Sequence, residues 1–173
     1  ITADTAVDSL THAIEAYVSK KAFEYTDTFA LAAMPAIVKN VRIACKEPEN
    51  ATARKSLMLA ASQAGMAFSN SSVALVHGMS RPIGAHFHVT HGLSNAMLLP
   101  TVTEYSIKGH EKRYATCART MKWASEKDND AIACSKLIEG LFILNDDLKV
   151  PSPRILGHSA DQEIILLNSD FIG

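Results

Sequence analysis

The chain has 173 residues, 47% of them apolar and 20% charged, which is enough for one buried core and short for two full domains. Its 17 basic and 18 acidic side chains leave a formal net charge of −1, which excludes the basic footprint of a nucleic-acid binder or of a protein held on anionic lipid. The longest apolar run, Ala30 to Val38, is interrupted by Pro35 and falls far short of the roughly 20 residues that span a bilayer, so no membrane partner is expected. The three cysteines, Cys45, Cys117 and Cys134, are too few and too scattered for a disulfide framework. A cytoplasmic location is expected from this, and a mitochondrial matrix fits equally. Because the chain opens on Ile1, its true start is expected to lie elsewhere.

Apolar residues recur at helical spacing almost throughout, and β-branched runs bounded by turns are nearly absent, so an all-α, bundle-like domain is expected. Asp4 is the expected cap of a first helix running through Asp8 and His12 to about Tyr17, with Val7, Leu10, Ala13, Ile14 and Tyr17 on its apolar stripe. A second helix, 25–45, should bend at Pro35, whose ring removes a backbone donor. Pro48 and Asn50 should end it and cap a third helix, 51–68, whose Ala60, Ala61, Ala64, Gly65 and Ala67 suggest a central, closely approached element. Ser69, Asn70 and Ser71 should interrupt that helix. The next is expected to carry Val73, Leu75, Val76 and His77, with His77 near its end before Pro82 and Gly84. Thr90 should cap a run from His91 that Pro100 breaks or kinks. Helices over 111–124 and 129–144 complete the pattern. After Val150 only a short helix, capped by Ser159 and ending near Leu167, is expected, so residues 1–157 are read as the domain and 158–173 as a divergent tail.

Four of the seven histidines, His77, His86, His88 and His91, fall within fifteen residues. Upstream, Asp8 and His12 stand four apart, which on a helix aims both side chains from one face. Such a pair is common as a surface ion pair, but this one adjoins an apolar stripe, where a carboxylate is costly to bury unless paired or bound to metal. Asp8, His12, His77 and His91 together make a set of one carboxylate and three imidazoles. That set suits zinc or ferrous iron, whereas calcium and magnesium prefer oxygen. His91 adjoins Gly92, where backbone must pack closely. His86 is read as a solvated loop residue, and His88 stands nearer the presumed ligands. The six methionines, including Met58, Met66 and Met97, are read as core filler. No nucleophile elbow, reactive-cysteine signature or glycine-rich phosphate loop occurs.

Three segments carry a specific resemblance: Asp8-Ser-Leu-Thr-His-Ala-Ile-Glu-Ala-Tyr17, Ala64-Gly-Met-Ala-Phe-Ser-Asn70, and His77 through Asn95-Ala-Met-Leu-Leu-Pro100. On these the chain resembles the C-terminal helical domain of iron-containing (group III) alcohol dehydrogenases over about residues 1–157. The resemblance implies metal ligation by Asp8, His12, His77 and His91, with Fe(2+), or Zn(2+) in its place. It also implies a small alcohol or aldehyde substrate, and hydride exchange with NAD or NADP held mainly on a separate N-terminal α/β domain. A homo-oligomer is compatible with it. The 173 residues include no such cofactor domain, so by itself the chain is not expected to be a competent dehydrogenase.

Arg81 departs from the pattern, since many members carry a histidine four residues after the third ligand. Arginine cannot act as an acid or base near neutral pH, but it can bind a carboxylate or phosphate. Arg81 and His88 are therefore carried as catalytic candidates, His88 as a substitute proton carrier. Two other functions stay open: a non-catalytic helical scaffold, and a hydroxyacid–oxoacid transhydrogenase in which Arg81 anchors a carboxylate.

Overall fold

A computed structural model describes residues 1–152, and among these the chain forms seven α-helices and no strand. The short helix expected over 159–167 and His158 lie outside the described residues. The helices are α1 (Thr2–Val18), α2 (Glu24–Lys46), α3 (Ala51–Asn70), α4 (Leu75–Phe87), α5 (His91–Ser106), α6 (Glu111–Thr120) and α7 (Asp130–Asp147).

Helix α1 occupies the centre, packed against α2, α3, α5, α6 and α4. From Ala6 onward it is buried on nearly every side, including Val7, Leu10, Ala13, Ile14 and Ala16. Its buried Thr11 hydroxyl is satisfied by donating to the Val7 carbonyl at 2.8 Å. The expected central role of α3 is therefore corrected. That helix buries only an alanine stripe, Ala53, Ala60, Ala64 and Ala67, and its opposite face leaves Met58 and Met66 exposed. Of the six methionines read as core filler, Met34, Met97 and Met121 are buried and Met79 packs against the core, whereas Met58 and Met66 of α3 are exposed, because small side chains, not long ones, face α1 and α2 there.

Local caps form where short polar side chains precede a helix. Asn50 accepts from the Ala53 N–H at 3.0 Å and Asn129 from the Ile132 N–H at 2.9 Å, each satisfying a donor of the first turn. Asp4 is not the cap of α1. The helix begins at Thr2, so Asp4 lies in its first turn, where a negative charge favours the positive helix end.

The prolines do not end their helices. Both α2 and α4 run on through Pro35 and Pro82, which places His77 in the first turn of α4 and not near its end. In α5, Pro100 cannot donate to the Ala96 carbonyl. Asn145 of α7 supplies the missing donor, its amide reaching Ala96 O at 2.6 Å.

Helix α2 is also long and apolar enough, by length and composition, to cross a bilayer, which the Pro35-interrupted run did not suggest. In this fold Ala30, Ala33, Met34, Ile37 and Val41 are buried in the common core, and Arg42 pairs with Asp147 of α7 at 2.6 Å. At the other end of the fold Arg113 of α6 donates to the Tyr17 carbonyl at 2.6 Å, lies over the Tyr17 ring and pairs with Asp27, tying the C-terminal end of α1 to α2. Helix α6 stops at Thr120, short of the expected 124, because the chain turns at left-handed Lys122 (φ 62°). Trp123 is thereby laid against Gly140, where a Cβ would come within 2.6 Å of the indole.

Candidate metal centre

Three helices meet beside the middle of α1. Asp8 and His12 project from α1, His77 from the first turn of α4, and His91 from the first residue of α5. One ligand atom from each lies within 4.8 Å of every other. The carboxylate is the hub: Asp8 Oδ1 is 3.6 Å from His77 Nε2 and 3.7 Å from His91 Nε2, and Asp8 Oδ2 is 3.9 Å from His12 Nδ1.

The rings are held by stacking. His12 lies between Phe68 of α3, at 4.3 Å between centroids, and His77, at 4.4 Å, while His91 is tilted against His77 at 5.2 Å. Burial is graded across the group. The His77 side chain is 3% exposed, those of His12 and Asp8 18% and 19%, and that of His91 50%. The site is thus closed on the His77 side and open to solvent past His91. Gly92 lets α5 start against α1, since a Cβ there would sit 2.8 Å from the Asp4 carbonyl oxygen.

Two residues outside the sequence-derived set complete the arrangement. Asn95, fully buried one turn after His91, points its side-chain nitrogen at Asp8 Oδ1 (2.6 Å), His77 Nε2 (3.0 Å) and His91 Nε2 (3.1 Å), while its Oδ1 is buried with no partner among the described residues. With His77 and His91 unprotonated at Nε2, three acceptors face the two hydrogens of one amide, and this set of one carboxylate and three imidazoles fits zinc or ferrous iron. Glu15, 3% exposed, reaches His77 Nδ1 at 2.6 Å. Both were legible in principle: Glu15 falls seven residues after Asp8 on the same apolar face, and Asn95 four after His91.

The charges follow from these contacts. Burial alone would raise Asp8, but the His77 hydrogen bond, the nearby His12 and the Asn95 amide outweigh it and hold the carboxyl below its ordinary range. Burial brings His12 down to about 4, the Asp8 charge offsetting only part of it, so the ring is neutral at pH 7 and ready to donate a lone pair. Burial also opposes charge on His77, yet the carboxylates of Asp8 and Glu15 outweigh it and lift the ring to about 9.

Arg81 and His88 stand outside the four-residue group. Both are exposed on α4 or its end, and His88 closes that helix in the left-handed conformation (φ 56°). His86 is exposed on the last turn of the same helix, not in a loop.

Residues 2–153 match the family described as Fe-containing alcohol dehydrogenase, C-terminal. A probable alcohol dehydrogenase, EutG, of Escherichia coli K12 is 42% identical over 139 residues, 80% of this chain and 35% of that protein. A solved 1,3-propanediol oxidoreductase superposes with a TM-score of 0.91 at 34% identity, over 95% of this chain and 43% of that one. Sulfoacetaldehyde reductase from Bifidobacterium kashiwanohense, solved in complex with NAD+, superposes with a TM-score of 0.83 at 27% identity over 96% of this chain and 43% of that one. The chain thus spans less than half the length of each of these proteins.

Proposed function

Because this chain belongs to the iron-containing alcohol dehydrogenase family, over its C-terminal part, we propose that it is the metal-holding portion of an oxidoreductase. The enzyme would exchange hydride between a small alcohol or aldehyde and NAD or NADP. The observation that carries this reading is the convergence of Asp8, His12, His77 and His91 from three helices, all ligand atoms within 4.8 Å and one side open. A divalent ion held there, iron or zinc, supplies a Lewis acid for the substrate oxygen.

The residues divide the remaining work. Asp8 contributes the one anionic ligand, and its charge lies close to all three rings. His12 ligates without first losing a proton, whereas His77 must release one, so metal binding strengthens as the pH rises toward about 9. His91, half exposed, marks the side from which substrate oxygen reaches the centre. Arg81 and His88 are proposed as outer contacts, Arg81 for a carboxylate or phosphate and His88 for a proton.

Metal content tests the reading directly. Chain purified without chelator is expected to carry about one iron or zinc per molecule, and His77→Ala to lose it. No stoichiometric metal in the parent chain would leave a helical scaffold as the better description.

A further inference from the structure

Helix α4 starts without a cap of its own: the residue at its N-cap, Ala74, has no side-chain oxygen to offer the first-turn N–H groups. The donors are met from another helix, 61 residues earlier. Glu15 of α1 accepts from the Val76 N–H at 2.6 Å through Oε1, and its Oε2 faces the His77 N–H at 3.4 Å. The same Oε2 lies 2.6 Å from His77 Nδ1. A carboxylate 3% exposed is costly unless so satisfied, and among the described residues this one is satisfied by the turn that carries the third candidate ligand.

We infer that Glu15 is the positioning residue of the metal centre: its carboxylate accepts a hydrogen bond from His77 Nδ1–H while holding the α4 N-terminus, which leaves Nε2 as the bare nitrogen aimed at the metal. This rests on the metal-site reading and deepens it. An ionised carboxylate only accepts, so the proton between Glu15 and His77 must sit on Nδ1 for the hydrogen bond to exist. His77 Nε2 is the atom that faces Asp8 Oδ1 at 3.6 Å and the Asn95 amide at 3.0 Å. The tautomer that satisfies Glu15 is therefore the one that presents a lone pair to the centre. Outer partners of this kind typically change metal affinity 10–100-fold.

Glu15→Gln separates this role from simple anchoring. A glutamine of the same size has one acceptor oxygen and one NH2, so it cannot accept from both Val76 N–H and His77 Nδ1–H. With its oxygen on Val76 it presents NH2 to Nδ1 and drives the ring proton onto Nε2, blocking ligation.

The experiment compares Zn2+ affinity of the parent 173-residue chain and Glu15→Gln by chelator competition, with helicity of the metal-free proteins followed by circular dichroism. Roughly 10–100-fold weaker Zn2+ binding by a folded variant is expected. Affinity within about twofold of the parent, even with a lowered melting temperature, overturns the positioning role and leaves Glu15 a helix anchor. Should the variant not fold, 15N spectra of histidine-labelled, Zn2+-loaded parent chain decide: a proton on His77 Nδ1 is expected, and ligation through Nδ1 overturns the inference. A parent chain that binds no Zn2+ stoichiometrically removes the metal centre itself, and Glu15's role with it. Parent binding with an unaffected variant removes the role alone.

Discussion

His12 and His77 stack at 4.4 Å yet are pushed in opposite directions, because Glu15 and Asp8 face His77 whereas burial dominates at His12. The consequence for the metal-free chain is a stability maximum in pH. His12 titrates near 4 when folded and near 6.5 when unfolded, so its contribution is whole above pH 6.5 and lost as the pH falls toward 4. His77 titrates near 9 when folded and near 6.5 when unfolded, so its contribution is whole below pH 6.5 and lost as the pH climbs through 9. Asp8, held below its ordinary range, adds to the loss in acid. Urea midpoints of the chelator-treated chain are therefore expected to peak near pH 6.5. A midpoint that rises steadily from pH 7 to 9 would contradict the pairing of His77 with its two carboxylates. With metal bound the alkaline limb should flatten, since a ligating ring has already shed that proton.

At the scale of the elements, the site depends on how closely α5 approaches α1, and Gly92 sets that distance. An alanine Cβ would lie 2.8 Å from the Asp4 carbonyl oxygen and 3.0 Å from its carbon. These are backbone atoms of a helix, which cannot swing aside as a side-chain tip can, so α5 must move. Alanine would gain roughly 0.5–1 kcal/mol of helix propensity, but forced separation of packed elements costs typically 1–3 kcal/mol. Gly92→Ala is expected to lower stability in denaturant by about 1 kcal/mol and to weaken metal binding, because His91 next door is displaced from Asp8. A variant as stable and as metal-competent as the parent would show that the two helices relax without moving the ligand. The alanine stripe of α3 serves the same end from the other side, bringing Phe68 onto the His12 ring.

At the scale of the whole molecule, the described helices gather ligands but offer no glycine-rich phosphate cradle, and the chain spans 35% of one relative's length and 43% of a solved one's. The 173-residue chain assayed by itself is expected to bind metal yet give no nicotinamide-dependent oxidation of small primary alcohols. Measurable NAD(P)H formation would place cofactor binding on the helical body, and Arg81, exposed one turn beyond His77, would be the first residue to replace in locating it.

Features decided within a few residues were determined by the sequence alone. Helical periodicity set the all-α class, Asn50 cap chemistry began α3 where expected, the four-residue step from Asp8 to His12 put both on one helical face, and Gly92 marked a close approach. The tertiary structure decided whatever depends on a partner far along the chain. The Ala96 carbonyl left bare by Pro100 is met by Asn145, 49 residues away, and the uncapped start of α4 by Glu15, 61 residues earlier. Neither proline position nor missing cap could therefore mark a helix end reliably from local sequence. The central place of α1 over α3 was likewise beyond local reading. A run of small residues shows that something approaches closely, but which helix is surrounded depends on how all the apolar faces are buried at once.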